Sequence, residues 1–217
     1  VILFPMPMFF ALMLNELRSA KFMKFVQTIS YLPHFVSTVV LVSMITTILS
    51  PSIGSLAKLT KMMGGTPINY LSVPEYFIPI NVVSGFWQSV GWEAVIYVST
   101  LAGIDRGLYE AAKIDGANRF QQIWHVTLPG LKDTFFVLFL LSISNILSSG
   151  FDHYFVFNNP MVSDKLMVLD LWTYQLGIGQ ADYSYSIAVG IIRTFVSLIL
   201  LFTANGISKK IRGYSIV

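Results

Sequence analysis

The residues best placed for chemistry in this 217-residue chain form one run. It comprises Glu110, Ala111, Ala112, Lys113, Ile114, Asp115 and Gly116, and continues to Val126, Thr127, Leu128 and Pro129. Six charged residues fall between Asp105 and Arg119, although only 12% of the chain is charged. Leu108, Ala111, Ala112 and Ile114 recur at helical spacing and predict a helix with one apolar side. Glu110 and Asp115 offer carboxylates to cations on another surface. Ala111, Ala112 and Gly116 are small enough for that surface to come close, and Gly116 also permits a turn. For either carboxylate alone, capping or solvating a loop helix is an equally good account. The spacing of the whole set favours docking.

A second group of polar residues lies inside apolar segments, where such residues are costly and mark functional positions by default. Glu93 follows Trp87, Gln88 and Trp92 about halfway along one segment; Ser142 and Asn145 lie on the next, and Arg193 on the last. Aromatic faces beside hydrogen-bonding groups suit sugars, which present C–H faces and hydroxyls together. Trp87, Trp92, Glu93, Tyr97, Asn145, Phe151 and Arg193 are therefore candidates to line a substrate path. Plainer roles stay open: Trp87 and Trp92 as interfacial belt residues, Asn145 as an interhelical hydrogen bond, and Arg193 as a partner of Glu93 or of an anionic sugar such as a uronate.

The elements that must position these residues are membrane spans. Mean hydropathy is +0.67 and 54% of residues are hydrophobic, outside the range of ordinary soluble domains. The sequence predicts an all-α polytopic membrane protein with about five visible spans. The first, residues 1–14, covers only about 21 Å at helical rise, short of a hydrocarbon core of roughly 30 Å. The chain opens on an apolar run without methionine, so one or more N-terminal spans are expected to be missing. The others are 30–49, broken near Pro33; 82–104; 131–149, with its apolar body from Phe135 to Ser149; and 183–203. Polar connections are expected over 15–24, over 52–79 with one helix near 53–63, and over 150–182. Without repeats or linkers, residues 1–217 read as a single transmembrane domain, with the charged loop at 105–130 inside it.

Ten basic residues fall on the side of that loop: Arg18, Lys21, Lys24, Arg106, Lys113, Arg119, Lys132, Lys209, Lys210 and Arg212. Only Lys58, Lys61 and Lys165 fall on the other. The positive-inside rule puts the charged loop and the C-terminus in the cytoplasm. There is no cysteine, hence no disulfide or thiolate metal site. His34, His125 and His153 share no metal-ligand spacing and read as polar residues at span boundaries, with His125 inside the docking loop.

The run from Glu110 to Pro129 resembles the EAA loop of ABC importer permeases: E-A-A, three residues, G, nine residues, I, one residue, L-P. Every fixed position matches except the isoleucine, where Val126 stands. Ala102-Gly103-Ile104-Asp105 and Asn205-Gly206-Ile207-Ser208 resemble the oligosaccharide-importing subgroup, alginate-type permeases among them. The resemblance implies a type I ABC importer transmembrane domain in a bacterial cytoplasmic membrane. It implies half of a translocation path for an oligosaccharide, a second and different permease chain, a cytoplasmic ATPase dimer and an extracytoplasmic solute-binding protein. The chain has no G-x-x-x-x-G-K-[ST] phosphate loop, so ATP and Mg are expected on the ATPase, with no cofactor and no catalysis on this chain. By the same resemblance Glu110, Ala111, Ala112, Asp115, Gly116, Leu128 and Pro129 dock the ATPase through two short coupling helices, and Thr127-Leu128-Pro129 stiffens the start of the following span. An intramembrane enzyme would need a catalytic pair within the spans, and none is apparent. A secondary transporter or passive channel is the alternative, and it would be favoured by inverted repeats.

Overall fold

The computed structural model describes residues 3–147, 150–163 and 167–212. Among these residues the regular structure is entirely helical: α1 (Met6–Asn15), α2 (Ala20–Tyr31), α3 (Thr38–Leu49), α4 (Ser55–Met62), α5 (Pro74–Ala102), α6 (Arg106–Ile114), α7 (Arg119–Gln122), α8 (Leu128–Ser144), α9 (Phe151–Phe157), α10 (Leu169–Tyr174) and α11 (Tyr183–Arg212). Each of the five apolar segments is helical, with shifted limits. Expectations at Ser149 and Lys165 fall outside the described residues.

The shifts have local causes. The polar connection after α1 is shorter than 15–24, because Ser19 accepts a hydrogen bond from the Phe22 amide and starts α2 at Ala20. The segment 30–49 is two helices, joined through a 3₁₀ turn at Leu32–Phe35 and bent by 96°. Proline cannot donate the helical hydrogen bond, and Pro33 sits within that turn. Helix α5 begins at Pro74, eight residues before the expected Val82. A proline is tolerated in the first turn, and Pro79 inside the helix forfeits one backbone bond. Residues 150–182 are not plain loop, since they form α9, α10 and a π-helical turn at Gln175–Gly179.

Arg119–Ser144 and Tyr183–Lys210 are long and apolar enough to cross a membrane, and the bent pair α2–α3 makes a third if it counts as one span. Helix α5 spans about 43 Å at helical rise, but Asn81, Gln88 and Glu93 lower its apolarity. No residue in the most apolar stretch of Tyr183–Lys210 is buried within the chain. Ile191, Ile192, Phe195, Ile199 and Phe202 stand exposed along it. A stripe this large on a water-soluble monomer would be anomalous; against lipid or another helix it is ordinary.

The chain divides into two compact units, with α5 and α11 contributing to both. The first comprises residues 1–32, 89–145 and 197–217. Its core is Ala11, Leu12, Ala94, Tyr97, Leu101 and Leu131. Here Gly91 on α5 lets the Ser30 carbonyl approach so closely that a Cβ would lie 2.0 Å from its oxygen. The second unit comprises 33–88 and 146–196, around Val42, Phe77, Phe157 and Val162.

Candidate functional site

The charged loop is built as a stapled pair of helical arms within the first unit. Asp105 caps α6 by accepting from the Gly107 amide at 2.9 Å. At the other end the Ala117 amide donates to the Ala112 carbonyl at 2.9 Å and the Gly116 amide to Lys113 at 3.1 Å. This is a Schellman ending, and its αL residue is Gly116 at φ +78°. A Cβ at Gly116 would meet nothing within 4 Å, so the glycine is required by backbone conformation rather than by space inside the chain. Asn118 then opens α7 with a capping box, its side chain accepting from the Gln121 amide while Gln121 accepts from the Asn118 amide. A second staple joins the arms: the Tyr109 hydroxyl bonds the Thr127 hydroxyl at 3.0 Å, with Thr127 only 1% exposed.

The expectation of two short helices is corrected in one respect. Helix α6 is short and separate, but the second arm runs through a π turn at Ile123–Thr127 into α8, as one 26-residue helix from Arg119 to Ser144. Leu128 and Pro129 therefore sit inside a continuous rod. A proline ring crowds the carbonyl four residues earlier. The wider π turn, closed by the Leu128 amide on the Ile123 carbonyl, lies immediately before it.

Glu110, Ala111, Asp115 and Gly116 are exposed. Ala112, Asp115 and Gly116 border a hollow of about 290 Å³ shared with Gln121, His125 and Val126. The His125 Nδ1 lies 3.0 Å from the Gln121 carbonyl oxygen within its own helix. Around the motif stand Leu108, Ile114, Phe120 and Trp124, the last three 86%, 73% and 60% exposed. Phe120 and Trp124 were not among the docking residues read from the sequence. Their signal is a large aromatic pair four residues apart beside a charged loop. Glu110 also borders a polar hollow with Arg106, Lys113 and Arg119, where Arg119 reaches Glu16 at 3.8 Å.

The path candidates divide between the two units. Glu93, Tyr97 and Asn145 come together in the first, lining a cavity of about 270 Å³ with Ser142, Phe4 and Leu138. The Tyr97 hydroxyl is buried there without a hydrogen-bond partner among the described residues. Asn145 donates to the Leu141 carbonyl at 3.1 Å and keeps an acceptor oxygen. Trp92 is exposed in the same unit and is not part of this cavity. The remaining three belong to the second unit. Trp87 borders an apolar groove with Leu41, Ile45 and Val83. Phe151 packs against Phe155 and Tyr174. Arg193 is ion-paired with Asp170 of α10, not with Glu93. The pairing was hidden because Asp170 reads as loop in the sequence.

Gln88 was passed over in favour of its tryptophan neighbours, and it braces the second unit. Its amide nitrogen donates to the Val36 carbonyl at 2.7 Å, at the break between α2 and α3. Its amide oxygen accepts from His153 Nε2 at 3.0 Å. His153 is thus a packed brace, and its ring lies 3.6 Å from where a Cβ on Gly85 would stand.

Residues 4–213 match the family model of binding-protein-dependent transport system inner membrane components. The chain is 41% identical over 209 residues to the polygalacturonan/rhamnogalacturonan transport system permease protein YteP of Bacillus subtilis, covering 96% of this chain and 65% of that protein. It is 27% identical to the arabinooligosaccharides transport system permease protein AraP of the same organism, covering 98% of this chain and 68% of that one. Among solved structures it is similar to a chain of a bacterial alginate ABC transporter in complex with an alginate pentasaccharide-bound periplasmic protein. There the TM-score is 0.92 at 36% identity, over 98% of this chain and 74% of that one. The chain therefore spans about two thirds of the length of these permeases.

Proposed function

The chain belongs to the binding-protein-dependent transport system inner membrane components, and we propose that it is the permease subunit of an ATP-driven type I ABC importer that carries oligosaccharide. A second permease chain completes the path, an extracytoplasmic binding protein delivers the cargo, and a cytoplasmic ATPase dimer with ATP and Mg supplies the energy. The charged loop and C-terminus face the cytoplasm.

The observation that carries this reading is the rigid continuity from loop to span. The exposed apolar residues Leu108, Ile114, Phe120 and Trp124 lie on the same loop as the exposed Glu110, Asp115 and Arg119, a composition suited to contact with a partner. A displacement of α7 passes into α8 without an intervening joint. Ser142 and Asn145, on and just past the end of α8, border the cavity that also holds Glu93 and Tyr97. Moving the rod therefore reshapes that cavity. The cavity offers hydroxyl acceptors at Glu93 and Asn145 and a hydroxyl donor at Tyr97, the groups a saccharide needs. The similarity to a permease named for polygalacturonan/rhamnogalacturonan transport and to an alginate ABC transporter supports the same cargo class.

The test is Gly116→Arg. It forces a bulky residue into an αL position, at a cost of about 1–2 kcal/mol, and sets a cation on the docking face. Membrane insertion is expected to be normal and ATP-dependent uptake of radiolabelled oligosaccharide to be abolished. Uptake at the unmodified rate would remove the docking role from this loop.

A further inference from the structure

Helix α4 carries an exposed apolar face just beyond the end of a membrane-crossing element. It follows α3, the second half of the bent pair that together is long and apolar enough to cross a bilayer. Val40, Met44 and Ile48 stand exposed at every fourth position of α3, the pattern of a lipid-facing stripe. The chain holds α4 close to the point where α3 ends. Residues 50–54 alone separate the two helices, and the Gly54 amide donates to the Ser50 carbonyl at 3.0 Å. A Cβ on Gly54 would lie 2.4 Å from the Ile48 carbonyl oxygen and 2.5 Å from that of Ser50, so only glycine closes this turn. Ala57 then packs into the chain, buried. Helix α4 therefore begins at the depth where the span ends.

The rest of its surface is sorted by chemistry. At about 100° per residue, Leu59, Met62 and Met63 occupy one arc, Lys58 and Lys61 the next, and Ala57 the side packed on the chain. The apolar arc is bare: Leu59, Met62 and Met63 are 54%, 86% and 80% exposed. Neither lysine has an ion-pair partner among the described residues. Basic residues are scarce on this side of the chain, yet Lys58 and Lys61 fall on one turn. Unpaired cations beside a bare apolar arc are the pattern of a helix lying in a membrane interface. The arc sits among the upper acyl chains, while the lysine stems follow the hydrocarbon and lift their ammonium groups to the phosphates. A protein partner would have to supply both an apolar cover and matching anions. An anionic bilayer supplies both at the place where α3 leaves it.

We propose that α4 is an interfacial anchor that binds anionic phospholipid, with Leu59, Met62 and Met63 against the upper acyl chains and Lys58 and Lys61 on the phosphates. This goes beyond the transport reading and does not depend on which cargo is carried.

The experiment uses the assembled transporter in nanodiscs, with an NBD fluorophore on Met62→Cys and, as reference, on Met44→Cys of α3; the chain has no other thiol. Phosphatidylglycerol and phosphatidylcholine, each carrying a doxyl group near the glycerol end of an acyl chain, are the lipid-borne quenchers, and iodide is the aqueous one. Both labels are expected to be quenched from the lipid. At Met62→Cys the phosphatidylglycerol quencher is expected to act at an about fivefold lower mole fraction than phosphatidylcholine, the factor that corresponds to about 1 kcal/mol for one lysine at an anionic surface. At Met44→Cys no preference is expected. Lys58→Gln with Lys61→Gln is expected to bring the preference to about one, and Lys58→Arg with Lys61→Arg to keep it, which separates lost charge from lost folding. A Met62→Cys label that iodide reaches and lipid does not places α4 in water and overturns the proposal. Lipid quenching without a phosphatidylglycerol preference in the chain that keeps both lysines overturns the anionic-lipid assignment. A label that neither quencher reaches overturns it in favour of a protein interface, with the second permease or the binding protein as the cover.

Discussion

Arg193 and Asp170 show how one pairing decides between substrate chemistry and architecture. In a low-dielectric setting an unpaired charge is far costlier than a paired one. Asp170 has a side-chain exposure of only 14%, against 29% for Arg193. The guanidinium that the sequence offered to a uronate is thus already engaged by Asp170. Arg193→Leu strands the Asp170 carboxylate and is expected to destabilise the protein by about 2 kcal/mol, below the roughly 3–5 kcal/mol of a fully buried pair because both side chains keep some exposure. The double replacement Arg193→Leu with Asp170→Leu is expected to recover most of that loss. Thermal melting in detergent checks both. An Arg193→Leu variant that melts normally yet fails only with acidic oligosaccharides would return this residue to substrate binding.

At the scale of elements, the continuity of α7 with α8 gives a physical reason for the proposed docking motif to extend to Leu128 and Pro129. The motif covers one separate helix, one stapled turn and the root of a long rod. Replacing Val126 and Thr127 together by glycine removes the Tyr109–Thr127 staple and softens the rod; glycine in a helix interior costs roughly 1 kcal/mol per residue. The expected outcome is ATP hydrolysis by the assembled transporter with uptake reduced at least about tenfold, equivalent to about 1.4 kcal/mol of lost coupling. Uptake and hydrolysis falling in parallel would show that the rod does not transmit. This element also marks what was legible in the sequence. The glycine turn was readable because only Gly116 in that run takes a positive φ without strain. The apolar segments were readable by length and composition. The π turn was not, since Ile-Trp-His-Val-Thr has no period that separates it from an α-helix. The break at Pro33 was visible, but its brace was not. Gln88 reaches Val36 across 52 residues, and only tertiary packing brings such groups together. Likewise, Glu93, Tyr97 and Asn145 share a cavity because α5 and α8 pack side by side through Thr100 and Thr134, hydrogen-bonded at 3.0 Å.

For the whole molecule, orientation is the property on which the proposed docking of the charged loop and the proposed cargo path both depend. Its support is the asymmetry of ten basic residues against three, and a span count alone would be compatible with either direction. The absence of cysteine makes the question unusually clean, because any introduced thiol is the only one in these 217 residues. Lys61 lies on α4, in a stretch assigned outside, whereas Lys113 lies on α6 beside the docking motif and Lys209 near the end of α11. Replacing each by cysteine removes one surface charge, a change usually worth less than about 0.5 kcal/mol. In intact cells a membrane-impermeant maleimide is expected to label Lys61→Cys and to leave Lys113→Cys and Lys209→Cys unlabelled until the membrane is opened. The reverse pattern would put the loop outside, where no ATP-driven partner could reach it, and the coupling argument would fail at its root. Labelling of Lys61→Cys and Lys113→Cys from the same side would instead break the odd number of crossings between them. Helix α5 would then be the span to re-examine, since its polar residues keep it out of the set that crosses on apolarity alone.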